Sequence, residues 1–268
     1  MKEITKKDIL LPDRSLVTNK GDAGRVLVIG GDCGMSGAPF FSAEAAYRCG
    51  AGLVEVSTHP ENRVIIQTLI PEAVWTEWKC ANIKKADCIV IGVGLGKSSE
   101  AVRLLERVLT SSKVPLVVDA DAVNIIAENP DLLSLLHEKT VLTPHVGELS
   151  RLIGLDAKYV SENLDKVTLD FAKKYKTNIV GKSKVSYIAL ANGDLYKNTR
   201  GSSALSKGGT GDVLTGIIAS LIAGGVEMEK AIPEGVFIHS MAGERAGEIY
   251  GERGALTRDI IKALAEVI

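Results

Sequence analysis

Short apolar runs rich in Val, Ile and Leu recur along the chain, each closing on Gly, Asp or another polar residue: "RVLVIGG", "GLVEVST", "DCIVIGVG", "PLVVDAD", "TVLTPH" and "TNIVGKS". Most are apolar at every position rather than at alternate ones, which is the pattern of strands buried on both faces of a parallel sheet. Between them, "FFSAEAAYRCG", "EAVRLLERVLTSS", "AVNIIAENPDLLSLL" and "NLDKVTLDFAKKYK" carry apolar residues at three- and four-residue intervals and predict helices. This alternation predicts an α/β fold, a three-layer α/β/α arrangement around a mostly parallel central sheet. One segment breaks the rhythm: "VSYIALANGDLYKN" sets Asn192 and Gly193 between two strand-like runs and predicts a tight hairpin, hence an antiparallel margin. A glycine-rich stretch and three helical segments follow, ending in "RGALTRDIIKALAEVI". With no linker, low-complexity tract or repeat, residues 1–268 read as a single domain.

Composition narrows the function classes. Apolar residues make up 46% and charged residues 24% of 268, the balance of a packed soluble protein. Lys plus Arg number 32 against 33 Asp plus Glu, a net charge of -1, so neither a nucleic-acid footprint nor a membrane-seeking basic face is implied. An anionic ligand must therefore be held by local groups. Cys33, Cys49, Cys80 and Cys88 show neither a C-x-x-C pair nor zinc spacing and read as reduced core thiols of a cytoplasmic protein. The opening "MKEITKKDILLPDRSL" lacks the apolar segment of a signal peptide, and no later run reaches membrane-spanning length.

In open α/β sheets ligands bind outside the carboxyl ends of the strands. Those ends are unusually polar or glycine-rich here: "IGGDCGMSG", "IGVGLGKS", "VVDADAVN", "LTPHVGE" and "IVGKSK". Each alone suits ordinary turn and cap chemistry. Two nucleotide motifs fail on spacing. "IGVGLGKSS" has Lys97 where a dinucleotide fingerprint needs its third glycine, and Ile91 where a Walker A loop needs its first. His145 either plugs a turn or faces the ligand edge, and no second ligand at zinc spacing accompanies it. Asp121 reads as a helix N-cap with Asn124 one turn on, while Asp119 either caps as well or holds a water-shelled magnesium ion. No dedicated metal cage is visible.

The stretch "KGGTGDVLTG" carries Gly208, Gly209 and Gly211 just before Asp212 and an apolar helical run. Asp212 either caps that helix or acts as a base beside a backbone anion cradle. A carboxylate would repel a phosphate. It is useful there only if it takes a proton from an attacking hydroxyl while the N–H groups stabilise the phosphoryl in transfer.

"GGTGD" opening a helix in the C-terminal third resembles the anion-hole and catalytic-base motif of the ribokinase-like superfamily. Together with "KGDAGRVLVIGGDCGMSGAPFFSAEAAYRCGAGLVEVST", "VIGVGLG", "VVDADAVNII", "VLTPHVGELSRLIG" and "KGGTGDVLTGIIASLIAGG", the order and spacing resemble the ADP/ATP-dependent NAD(P)H-hydrate dehydratases, from about Lys20 to the C-terminal helices. The resemblance implies an enzyme that uses ADP or ATP, with Mg2+, to phosphorylate the hydroxyl of hydrated NADH or NADPH and then eliminates phosphate to restore the cofactor. It implies Asp212 as the base and Gly209, Thr210 and Gly211 as anion-hole donors. Ala38, Gly94, His145 and Asp212 would bind the hydrate, and Lys182, Ser183, Lys184, Val185, Ser186 and Gly211 the nucleotide. It further implies a homotetramer and a separate epimerase as functional partner. Because the fused members' N-terminal epimerase domain is not in this sequence, the expected substrate is the S epimer. Two departures fall on nucleotide contact: Lys182-Ser183 replaces the usual Lys-Gly, and "NTRGSS" (Asn198 to Ser203) replaces an Asn-Pro-Thr-Gly-Asn type stretch. The alternative is a small-molecule alcohol kinase resembling hydroxyethylthiazole or hydroxymethylpyrimidine kinases. The "HVGE" and "DADAVN" loops favour the dehydratase.

Overall fold

The structure is a computed structural model that describes residues 1–9 and 19–268. Among the described residues ten strands form one sheet: β1 (Lys2–Glu3), β2 (Arg25–Ile29), β3 (Leu53–Thr58), β4 (Val74–Glu77), β5 (Cys88–Ile91), β6 (Leu116–Val118), β7 (Thr140–Leu142), β8 (Asn178–Gly181), β9 (Ser186–Ala189) and β10 (Leu195–Asn198). Their spatial order is β1-β10-β9-β8-β7-β6-β5-β2-β3-β4. All neighbours pair in parallel except β9, which runs antiparallel to both β8 and β10. The predicted hairpin forms, with Gly193 left-handed at φ 94° in its loop. It does not end the sheet, because β1 pairs outside it, Lys2 opposite Tyr196.

The helices are α1 (Gly37–Arg48), α2 (Arg63–Leu69), α3 (Ser99–Ser111), α4 (Asp121–Glu128), α5 (Val146–Ile153), α6 (Ala157–Glu162), α7 (Leu164–Tyr175), α8 (Thr210–Ala223), α9 (Met228–Tyr250) and α10 (Thr257–Val267). The run "AVNIIAENPDLLSLL" is not one helix. α4 stops at Glu128 and a 3-10 turn takes over from Pro130, because Pro disfavours helical backbone in Asn129 before it. β4 and α2 lie outside the predicted elements; both are short, α2 is largely exposed and β4 half-buried. Of the four cysteines only Cys88 is fully buried, and Cys33 and Cys80 are exposed, so the reading of all four as core thiols is corrected. The signal-peptide reading falls partly on residues 10–18, outside the described residues. Among the described residues no helix is long and apolar enough to cross a membrane.

The parallel strands largely divide their side chains by size, with Val118 as an exception. Val26, Val28, Val54, Val56, Val90, Val117, Val141 and Val180 face the layer of α1, α8, α9 and α10. Leu27, Ile29, Ile89, Ile91, Leu116 and Leu142 face α3, α4, α5 and α7. The Val-lined face lets helices approach closely, and α8 occupies that space, buried from Val213 to Ile222. A helix apolar on all sides has no solvent face and must run through the interior. At its crossing with α1, a Cβ on Gly216 would lie 2.1 Å from the Ser42 carbonyl oxygen, and the buried Ser42 and Thr215 hydroxyls are 3.0 Å apart. The interior path of α8 fixes where its N-terminus emerges, at the carboxyl edge of the sheet. Gly216→Ala is expected to lower stability by about 1–3 kcal/mol through overpacking, outweighing the gain of roughly 1 kcal/mol in helix propensity. Denaturant unfolding measures this, and a stabilised variant would show that the helices do not approach so closely.

Candidate active site

The carboxyl ends of β6, β7 and β8 and the N-terminus of α8 surround a cleft of about 800 Å³. After β6 comes Asp119, then Ala120 at φ 51° and ψ -118°, a strained conformation for a residue with a side chain. After β7, His145 caps α5: its Nδ1 accepts the N–H groups of Gly147 at 3.0 Å and Glu148 at 3.3 Å. Glu148 returns a bond from the backbone N–H of His145 at 2.9 Å, completing a capping box. After β8, Lys182 swings across β7 to meet Asp119, Nζ to Oδ1 2.9 Å and to Oδ2 3.1 Å. The pair is largely enclosed, with side chains 20% and 3% exposed.

Asp212 stands beside this pair and lines the cleft. Among the described residues its carboxylate receives no hydrogen bond. Burial first, and then the charge of Asp119, push its pKa up to about 8, although Lys182 pulls the other way. Burial works against the charge on Lys182, but Asp119, Glu148 and Asp212 outweigh it and the pKa is raised. Burial raises Glu148 and lowers His145, which Lys182 and Arg151 lower further. The neutral imidazole of His145 therefore serves as a cap at the mouth, not as a buried cation.

The cradle takes its shape from Gly209, left-handed at φ 92°, where any Cβ would meet the Phe41 ring at 2.5 Å. Among the described residues, the backbone N–H groups of Gly209, Gly211 and Asp212 have no protein acceptor. The Thr210 N–H is turned to the Lys207 carbonyl at 3.4 Å, and the Thr210 hydroxyl bonds the Leu205 and Lys207 carbonyls. The free donors thus include the amide of Asp212 itself, with that of Thr210 turned aside. Gly211 leaves open the approach to Lys182: a Cβ there would sit 3.1 Å from Nζ. The site offers backbone N–H donors and the Lys182 ammonium to an anion, next to a half-buried carboxyl group that can exchange a proton.

Of the residues singled out from the sequence, Asp119, His145, Lys182, Ser183, Lys184, Ser186, Gly209, Thr210, Gly211 and Asp212 line this cleft; Val185 does not. Ala38 and Gly94 lie away from it and against each other, since a Cβ on Gly94 would be 3.1 Å from the Ala38 Cβ. Asp121 is not the N-cap. Ala120 holds that position, and Asp121, the first residue of α4, accepts the Gly96 N–H at 2.8 Å. Among the lining residues to which sequence reasoning assigned no role are Glu148 and His239. The signal for Glu148 was its place three residues after a capping residue. For His239 it was a polar His-Ser pair within the uncharged stretch "GVFIHSMAG" of α9; burial lowers that histidine to about 4.

The raised pKa of Asp212 has a consequence for stability. The folded chain keeps a proton up to about pH 8 that the unfolded chain, near the ordinary 3.8, has already lost. The contribution of this group to stability therefore falls as pH rises across that window. Asp212→Asn cannot ionise, so its stability relative to the unsubstituted chain should grow from pH 5 to pH 8 by about 3–4 kcal/mol. Paired denaturation curves read it, and a pH-independent difference would mean an ordinary, solvated carboxylate.

Comparison with known proteins bears on this geometry. The family model of NAD(P)H-hydrate dehydratase matches residues 26–266. A bifunctional NAD(P)H-hydrate repair enzyme Nnr of Coxiella burnetii is 41% identical over 97% of this chain and 53% of its own length. The chain spans about half the length of the curated bifunctional relatives it matches. The ADP-dependent (S)-NAD(P)H-hydrate dehydratase of Xanthomonas campestris is 31% identical over 90% of this chain and 87% of its own. The crystal structure of the ADP/ATP-dependent NAD(P)H-hydrate dehydratase from Bacillus subtilis, co-crystallized with ATP/Mg2+, superposes with a TM-score of 0.88 at 26% identity, covering 99% of this chain and 97% of that one. The fold is therefore ribokinase-like, and the chain belongs to the NAD(P)H-hydrate dehydratase family.

Proposed function

We propose that the chain is a nicotinamide-nucleotide repair lyase. It uses ADP or ATP to phosphorylate the hydroxyl of the S epimer of NAD(P)H hydrate, then eliminates phosphate to regenerate NAD(P)H. The observation that carries the reading is the unpartnered Asp212 carboxyl, held near pKa 8, beside N–H groups with no protein acceptor. Asp212 accepts the proton of the attacking hydroxyl within hydrogen-bond reach. The N–H groups of Gly209, Gly211 and Asp212 receive the phosphoryl oxygens as charge develops on them. The phosphate then departs with its C–O electrons while the neighbouring carbon gives up a proton to water, and the C–H electrons form the returning ring double bond.

Lys182 has two tasks in this account. It neutralises Asp119, and it keeps the Asp212 pKa from climbing further. Both Asp119 oxygens are engaged by Lys182, and Glu148 is spent on its capping box, so the cleft fits a magnesium ion carried by the nucleotide phosphates through water rather than gripped by carboxylates. When bound, that ion would offset phosphate charge. Lys182, Ser183, Lys184 and Ser186 with the 199–207 loop form the nucleotide side, and His145 and Asp212 the hydrate side, toward Ala38 and Gly94. The same reading includes one catalytic unit over the whole chain, supported by the continuous sheet, a homotetramer, a cytoplasmic location and a separate epimerase that supplies the S form.

Three outcomes test it. Incubating the hydrate with ADP, with ATP and with no nucleotide should regenerate NADH and free phosphate only when nucleotide is present; a stable phosphorylated alcohol would mean a kinase instead. Asp212→Asn should lower turnover by roughly two to four orders of magnitude while ADP affinity, measured by calorimetry, is nearly kept. Loss of both together would make the residue structural. Lys182→Ala should weaken ADP binding and move the rising limb of the kcat/KM–pH profile to higher pH, because Asp212 loses its nearest cation; an unmoved limb would remove Lys182 from this role.

A further inference from the structure

Four strands from Lys182 along the same carboxyl edge, the loops after β2 and β3 bring three side chains of different chemistry together. Cys33, His59 and Glu61 each present one ligand atom, and these atoms lie within 4.8 Å of one another. The Cys33 thiol donates to Glu61 Oε2 at 3.0 Å. His59 Nδ1 accepts only a long bond from the Glu61 N–H, 3.3 Å, so its lone pair is weakly held. None of the three lines the catalytic cleft.

The two loops are cross-tied from beneath. Asn62, 1% exposed, donates to the carbonyls of Gly31 at 2.8 Å and Asp32 at 2.9 Å. The His59 backbone N–H meets the Gly31 carbonyl at 3.0 Å, and the Trp78 indole meets that of Gly30 at 2.9 Å. The His59 ring stands edge-on to Trp78, 6.0 Å between centroids. The backbone frame is thus fixed, while the Cys33 and Glu61 side chains are exposed and can close on an ion. The sequence shows no zinc spacing because the ligands come from loops that only the β2–β3 pairing brings together.

We propose that Cys33, His59 and Glu61 bind a borderline divalent cation of the zinc class, separate from the catalytic site. One sulfur, one imidazole and one carboxylate match that class, whereas magnesium and calcium prefer oxygen alone. On binding, the Cys33 S–H bond breaks, its proton passes to solvent and an S–metal bond forms. His59 gives its Nδ1 lone pair in place of the long N–H contact, and Glu61 gives a carboxylate oxygen. Three protein ligands leave a fourth position for water. The ion would staple the loop that leads through Met35 into Ala38 of α1 to the loop that opens α2.

The test uses the full chain, stripped of metal. Titration with Co2+ should develop a thiolate-to-cobalt absorption band at one ion per chain, displaced by Zn2+. The band should vanish in Cys33→Ser and persist in Cys80→Ser, whose thiol is exposed but outside the cluster. Cobalt binding without the band, or a band that survives Cys33→Ser, overturns the proposal. Should Cys33→Ser fail to fold, the unsubstituted chain still decides. Zn2+ at ten times its dissociation constant should slow thiol labelling of Cys33 by roughly tenfold and leave Cys80 unaffected, and equal or absent protection at the two thiols overturns the proposal.

Discussion

A half-buried carboxyl group beside unshared backbone N–H groups is the constraint around which this molecule is organised. Left to itself, the arrangement is unfavourable: burial and Asp119 both oppose ionisation of Asp212, and among the described residues no hydrogen bond to its carboxylate offsets them, only the charge of Lys182 pulling the other way. It persists because α8 cannot move. Its apolar surface is enclosed on all sides, its crossing with α1 is closed to the backbone at Gly216, and Gly209 turns the chain under Phe41 just before the first turn. The folding free energy of the core holds a destabilised group in position, a common relation between strain and function.

The rest of the site moderates that group. Lys182 reaches from β8 past β7 to Asp119, so three parallel strands set the distance between the ammonium and the α8 N-terminus. The strained Ala120 turns the chain abruptly from Asp119 into α4, leaving the carboxylate facing Lys182 while Asp121 secures the Gly96 loop. Sheet order and electrostatics are therefore one matter here. A change in strand spacing would alter the charge balance around Asp212 as surely as a substitution within it.

Much of this was legible before any coordinates. Strands apolar at every position announced a sheet covered on both faces, and "GGTGD" before an apolar helix announced a backbone anion cradle with a carboxylate at its lip. The Lys182–Asp119 pair was not legible, because it depends on β6 and β8 flanking β7, which local pattern does not encode. Nor could periodicity reveal that the Thr210 amide turns back to Lys207 while that of Asp212 stays free. β1 and β4 escaped notice because short edge strands with no fully buried residue lack a face to impose a pattern. Asp121 missed its expected cap position by one residue because the sharp turn falls at Ala120. The resemblance joins Ala38 and Gly94 to His145 as hydrate contacts; that these two lie against each other, where α1 meets the loop after β5, is a tertiary contact that no local pattern encodes.

The central claim is that the Asp212 carboxyl titrates far above the ordinary range in the folded chain, and its own titration tests this most directly. Following aspartate side-chain carboxyl carbons by 13C NMR across pH, with Asp212→Asn to assign the resonance, should give a midpoint near 8. A midpoint near 4, the value of a solvated aspartate, would contradict the account.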